Sequence, residues 1–361
     1  MQKILSGYDS VREVLREIGA ERHMLVCDSS FRHLPIGEGL DQAVTFDQFS
    51  PNPLYEQVCK GVEMFNNNGC DAIVAVGGGS TIDVAKCIKL YCRMDAARNY
   101  LEQECKDSGV PLIAVPTTAG TGSESTRYAV IYYEGKKQSV THESIIPDYA
   151  VLEPLFLKTL PAYQKKCTML DALCQGIESM WSLHSTGQSM EFSKTAIQKI
   201  LGHWQGYMSS DMETDAKEIM LAANFAGRAI NITQTTAPHA MSYKLTSMYG
   251  IPHGHAVALC LPEVWQYMLE HSENCTDPRG VAHLTSVFES LARIMGCDSP
   301  EKAVMLFREI LSELDLPRPK CSNSDEELEL LASSVNPVRL KNNPVSISGE
   351  IIRHLYETIL R

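Results

Sequence analysis

Through about residue 155 the chain carries two alternating hydrophobic patterns. Short apolar runs, HMLVCDS (23–29), AVTF (43–46), DAIVAV (71–76) and VPLIAVP (110–116), are bounded by turn residues and predict buried strands. Between them, PLYEQVCKGVEMFNNNG and TIDVAKCIKLYC carry apolar residues at helical spacing, the first stopping at Gly69. Such alternation predicts a parallel sheet covered on both faces. After about Pro154 the pattern changes to long amphipathic runs such as QSMEFSKTAIQKILGHW, DAKEIMLAANFAGRAINI and GVAHLTSVFESLARIMG. These predict a helical second domain. The segment PRPKCSNSDEE (317–327) reads as a loop followed by a short acidic helix.

Composition narrows the picture. A chain of 361 residues, 44% apolar and 21% charged, can bury a large core and suits two domains. A formal charge of −12 with no basic block argues against nucleic acid or an anionic membrane as partner. Twelve cysteines without a CxxC pair, in a chain opening MQKILSGYDSVREV, predict reduced and mostly buried thiols in a cytoplasmic protein. No apolar run approaches the roughly 18 residues needed to span a bilayer.

Candidate chemistry begins with AIVAVGGGSTIDVAK, which places Gly77, Gly78, Gly79 and Ser80 between a strand and a helix. Glycines let backbone approach an anion, and a helix N-terminus offers free N–H groups and positive dipole. The motif is neither GxGxxG nor a Walker loop. A second small-residue loop, VPTTAGTGSES (115–125), follows the next strand, and its hydroxyls at Thr117, Thr118 and Thr121 could face the same ligand. Two such loops after neighbouring parallel strands favour a dinucleotide over a bare turn. Asp47 ends the second strand, where a carboxylate either accepts ribose hydroxyls, favouring NAD over NADP, or simply opens the DQFSPNP loop.

In the second half, TMLDALCQGIES (168–179) sets Asp171 and Gln175 one helical turn apart, on one face. They are either a surface pair or part of a metal site. PHAMSYKLTSMYGIPHGHAVALCLP carries His239, His253 and His255, with a Gly-Ile-Pro turn between two helices. Two helix ends can aim imidazoles at one point, and Asp171 would complete a two-histidine, one-carboxylate set for a divalent metal.

Together GGGSTIDVAK, VPTTAGTGSE, the DALxQ helix and the PHG turn resemble the iron-containing (group III) alcohol dehydrogenase family, along nearly the whole chain. Within it, TRYAVIYYEGKKQSVTHESIIPDY, DALCQGIESMWSLHST and TAPHAMSYKLTSMYGIPHGHAVAL look most similar to the phosphonoacetaldehyde reductase branch. The resemblance implies a Rossmann-like α/β parallel-sheet domain over 1–157, which binds the dinucleotide. An all-α domain over 158–361 would bind metal and substrate, in the dehydroquinate synthase-like fold, with the active site in the cleft between the two. By motif, Asp171, Gln175, His239 and His253 are the implied metal ligands, for Fe2+ or Zn2+. Asp47, Gly77, Gly78, Gly79, Ser80, Asp83, Thr117, Thr118, Thr121 and Lys137 are the implied cofactor residues.

Two departures stand out. Gln175 replaces a histidine ligand, and Tyr243 stands where many members carry another histidine near the nicotinamide. An amide oxygen is a weaker ligand than imidazole, so Gln175 is either a fourth ligand or a neighbour that lines the metal pocket. The resemblance implies reduction of a small aldehyde by NAD(H), less readily NADP(H), with a homodimer or larger homo-oligomer. Tyr243 and His255 are the candidate proton donors, and Arg228 and Lys244 the candidate cations for an anionic substrate. Besides a general short-chain alcohol dehydrogenase, two other classes compete. One is a non-redox lyase of the dehydroquinate-synthase type, the other a binding protein that has lost its metal. The retained Asp171, His239 and His253 argue against the last.

Overall fold

The computed structural model describes residues 2–36, 40, 43–209, 213–317, 319 and 324–360. Most of the loop expected at 317–323 lies outside the described residues. The chain folds into two compact units, Met1–Leu160 and Pro161–Arg361.

In the first unit, β1 (Lys3–Ser6), α1 (Ser10–Glu17), β2 (His23–Cys27), β3 (Val44–Phe46), α2 (Tyr55–Asn67), β4 (Ala72–Gly77) and α3 (Gly79–Tyr91) follow in turn. Then come β5 (Leu112–Pro116), a hairpin of β6 (Tyr128–Tyr133) and β7 (Lys136–Thr141), and β8 (Tyr149–Leu152). Among the described residues six strands form a parallel sheet in the order β1-β8-β5-β4-β2-β3. Strand β4 shows why its sequence is apolar throughout. Ile73 and Ala75 pack into the core on one face, and Ala72, Val74 and Val76 into the core on the other. The expectation of a sheet covered on both sides holds.

The β6–β7 hairpin is outside that sheet, and its Glu134-Gly135 turn has both residues at positive φ, 50° and 71°. That is the conformation a two-residue hairpin needs. Lys86, fully buried on α3, donates to Ser123 Oγ (3.0 Å), Thr126 Oγ1 (3.1 Å) and the Tyr128 carbonyl (2.7 Å). Burial pushes its ammonium down to about 8 against the pull of Asp83 and Glu124. This network fixes the loop that follows β5.

The second unit is helical: α4 (Ala162–Trp181), α5 (Gly187–Met208), α6 (Glu213–Thr233), α7 (Ala237–Tyr249), α8 (His253–Glu270), α9 (Val281–Ile294), α10 (Pro300–Leu314), α11 (Asp325–Ser333), α12 (Pro337–Leu340) and α13 (Gly349–Leu360). From Met169 onward α4 is buried on every side, the mark of a central helix. Helices α5, α6 and α8 pack against it, and α7 packs on α8. Among the described residues no helix is long and apolar enough to cross a membrane, and eleven cysteines are free thiols.

Candidate metal centre and nucleotide cradle

Asp171, Gln175 and Glu178 sit at positions i, i+4 and i+7 of α4, so a polar stripe runs along a helix buried in apolar surroundings. Unpaired, three such groups would be costly. The turn between α6 and α7 answers them. Thr233 closes α6, Gln234 takes a left-handed φ of 58°, and the chain enters α7 at Ala237. Glu178 accepts Thr236 N (2.6 Å) and Thr236 Oγ1 (2.8 Å), which fixes that entry. Glu178 also accepts a short hydrogen bond from His239 Nδ1.

With its Nδ1 proton given to Glu178, His239 presents Nε2 to Asp171 Oδ1 at 3.3 Å. His253 follows the same logic at the start of α8. Ser242 Oγ donates its proton to the His239 carbonyl (2.8 Å) and therefore accepts from His253 Nδ1 (3.3 Å). Both imidazoles thus commit Nδ1 and keep Nε2 for another partner. The donor atoms of Asp171, His239 and His253 all lie within 4.8 Å of one another.

A ring nitrogen facing a carboxylate oxygen in a buried site needs a cation between them, either a proton or a metal. The protonated form shows the strength of that demand. Although burial opposes the charge, Glu178 and Asp171 raise the His239 imidazole to about 9. The Asp171 carboxyl is likewise held below its ordinary range by the hydrogen bond from His239 and the charge of His253, against its own burial. Apart from His239 Nε2 at 3.3 Å, the buried Asp171 Oδ1 finds no partner among the described residues. Two imidazoles and a carboxylate therefore fit a divalent cation. Gln175, one turn along α4 and 3% exposed, hydrogen-bonds the Asp171 carboxyl and so belongs to the lining of this site.

Helix α8 reaches α4 through Gly254. A Cβ there would overlap the Cys167 carbonyl oxygen and lie 2.8 Å from Asp171 Cβ. The glycine of PHG lets the backbone carrying His253 rest directly on the helix carrying Asp171.

The nucleotide candidates gather in the first unit. Strands β4 and β5 pair as neighbours with Gly77 opposite Pro116, so the two small-residue loops leave the sheet side by side. Thr117 N donates to the Gly77 carbonyl (3.0 Å). A Cβ on Gly79 would lie 2.9 Å from Thr121 Cγ2, and one on Gly78 3.4 Å from Thr118 Cγ2. Helix α3 starts at Gly79 with Gly78 as its N-cap and no side-chain cap, which leaves its first N–H groups available.

The sequence profile of the iron-containing alcohol dehydrogenase family matches residues 2–154, and that of the family's C-terminal region matches residues 166–360. The chain belongs to the iron-containing alcohol dehydrogenase family. As in its relatives, the activity is that of an oxidoreductase acting on CH–OH groups. The phosphonoacetaldehyde reductase of Streptomyces viridochromogenes is 32% identical over 303 residues, 79% of this chain and 75% of that one. The NAD-dependent methanol dehydrogenase of Bacillus methanolicus is 28% identical over 359 residues, 94% of this chain and 93% of that one. Among solved structures, the sulfoacetaldehyde reductase of Bifidobacterium kashiwanohense in complex with NAD+ superposes with a TM-score of 0.87 at 25% identity, covering 99% of this chain and 97% of that one.

His255, Arg228 and Asp83 of this dehydrogenase are engaged with other partners. His255 points into the α4–α8 packing, where its Nδ1 bonds Tyr163 Oη (2.8 Å) and burial lowers it to about 4, leaving it neutral. Arg228 lies over the rings of Phe192 (4.1 Å) and Phe225 (5.4 Å), on the α5–α6 side. Asp83 accepts Ser123 Oγ (2.7 Å) and Val130 N (2.9 Å), so its carboxylate braces the second loop. Lys137 lies on β7, opposite Tyr132 of β6, and Lys244 is half-buried beside Tyr243 on α7. Asp47 is exposed just past β3, the outer strand of the sheet.

Tyr243 borders the candidate metal site, its ring parallel to His253 at 5.4 Å. Three residues emerge that the sequence reading passed over. Asp28 ends β2, the strand next to β4, and accepts Thr81 Oγ1 (3.1 Å) from the first turn of α3. Glu178 orients His239. Arg339, on α12, donates to Tyr243 Oη (3.0 Å). For the first two a signal existed, an acid at a strand end and a third polar residue in helical register with Asp171.

Proposed function

We propose that this enzyme reduces a small aldehyde bearing an anion, phosphonoacetaldehyde to 2-hydroxyethylphosphonate being the leading candidate, with NADH and a divalent metal, Fe2+ or Zn2+. The observation that carries the reading is the pair of histidines whose Nδ1 protons are committed to Glu178 and Ser242 while Nε2 of His239 faces the Asp171 carboxylate. Asp171, His239 and His253 would hold the metal, with Gln175 lining the site. When bound, the dication polarises the carbonyl as a Lewis acid, and the nicotinamide supplies the hydride.

The chain's own residues do the rest. Glu178 and Ser242 keep both imidazoles in the ligating tautomer. Tyr243, stacked on His253, is the hydroxyl we assign to deliver a proton to the product oxygen; His255 is occupied with Tyr163. Gly77, Gly78, Gly79, Ser80, Thr117, Thr118 and Thr121 form the phosphate cradle. Carboxylates at two strand ends, Asp28 and Asp47, favour NADH over NADPH by accepting ribose hydroxyls and repelling a 2′-phosphate. Asp28 stands nearer the cradle, since β2 adjoins β4.

The choice of an anionic aldehyde draws on the similarity to reductases of phosphonoacetaldehyde and sulfoacetaldehyde. A second reading, a general short-chain alcohol dehydrogenase, draws on the methanol dehydrogenase, whose match spans 94% of the chain. NADH oxidation across phosphonoacetaldehyde, sulfoacetaldehyde, acetaldehyde and propanal separates them. The proposal expects kcat/KM at least tenfold higher for an anionic aldehyde than for propanal. A preference for the uncharged aldehydes would select the second reading. The same assay with NADPH should be markedly slower, and Asp28→Gly should narrow that gap more than Asp47→Gly.

A further inference from the structure

We infer that Arg339 is the anion anchor of the substrate site, taking the phosphonate or sulfonate carried beside the aldehyde. The inference rests on the reading of Asp171, His239 and His253 as the place where the carbonyl is held, and it adds a cation for the anion beside that carbonyl. Arg228 is committed to two aromatic rings on another face. Arg339 is placed differently. Its Nη1 donates to Tyr243 Oη (3.0 Å), its guanidinium carbon lies 5.0 Å from the Tyr243 ring centre, and that ring stacks on His253 at 5.4 Å. One aromatic ring therefore separates the arginine from a metal-site histidine.

The segment that presents Arg339 is anchored to the same turn that positions His239. Asn336 caps α12 by accepting Val338 N (2.9 Å). Just beyond, buried Asn342 donates to the carbonyls of Thr233 (2.8 Å) and Thr235 (3.0 Å) and accepts Ser182 Oγ (2.9 Å). An arginine on so fixed a support loses little freedom on meeting a ligand.

Charge points the same way. Arg127, Arg279, Arg308 and Arg353 each pair with a carboxylate, in a chain of net charge −12. Among the described residues no carboxylate pairs with Arg339, and a single N–H of its guanidinium is engaged, by a neutral phenol. The remaining planar fork suits two oxygens of a phosphonate or sulfonate. The hydroxyl of Tyr243 holds the fork in position.

The test measures anion binding apart from turnover. Methylphosphonate and methanesulfonate are titrated calorimetrically into the full-length chain, zinc-loaded and again after chelation. Both should bind in either state, and Arg339→Gln should weaken binding at least tenfold, with partial rescue by Arg339→Lys. The dianion binding more tightly would assign the site to phosphonates; a monoanion bound equally well would extend it to sulfonates. In steady state, the ratio of kcat/KM for phosphonoacetaldehyde over propanal should fall at least tenfold in Arg339→Gln, through KM. Several results would overturn the inference: no methylphosphonate binding by the unaltered chain, binding unchanged by Arg339→Gln, binding lost on metal removal alone, or equal loss on both aldehydes. An inactive chain that still binds methylphosphonate through Arg339 would sink the proposed function and leave the anion site standing.

Discussion

Glu178 carries the Nδ1 proton contact of His239 and the backbone entry to α7 with one buried carboxylate. Replacing it with glutamine keeps the shape and removes the charge. Partners of this kind are worth roughly 10–100-fold in metal affinity, so Glu178→Gln should weaken zinc by about that factor in competition with a chromophoric chelator. Its far-ultraviolet circular dichroism should stay unchanged. Unaltered affinity would mean that the Glu178 charge does not tune His239. At this scale Asp171, His239 and His253 were legible because each lies in a helix-and-turn motif with little other reason for its polarity. Glu178 was hidden by looking like the polar side of an amphipathic helix, and only the burial of α4 on all sides reveals its cost. Arg339 was hidden by distance along the chain, since nothing local ties it to Tyr243, 96 residues earlier.

At the level of elements, the geometry of the candidate metal site depends on how closely α8 lies on α4. Gly254→Ala would drive a methyl group into the Cys167 carbonyl and toward Asp171. Overpacking of this kind costs typically 1–3 kcal/mol, which in a unit of this size lowers Tm by about 2–4 °C per kcal/mol. Because the displaced backbone carries His253, zinc affinity should fall together with Tm. A drop in Tm with zinc affinity intact would show that α8 can shift without moving its first residue. Helices α2, α3, α5, α6 and α9 were readable from periodicity, and β2, β3, β4 and β5 from apolar runs. Strand β1 escaped because it is short, largely exposed and at the sheet edge, where no apolar run is needed. The β6–β7 hairpin escaped because its pattern is interrupted by lysines and a glutamate that belong to its solvent side and turn.

Over the whole molecule, the first unit carries a small-residue cradle after β4 and β5, and the second a buried carboxylate–imidazole cluster on α4, α7 and α8. The family match spans both. The central claim is that aldehyde reduction by NADH runs through a metal held by Asp171, His239 and His253. The most direct measurement is a titration of Zn2+ or Fe2+ into chelator-stripped protein while NADH oxidation by phosphonoacetaldehyde is followed. The account predicts negligible rate at the start, a linear rise that saturates at one metal per chain, and no recovery in a folded His239→Ala variant at the same metal concentrations. Full activity in the stripped protein, or recovery of His239→Ala to the unaltered rate at one equivalent of metal, would contradict it.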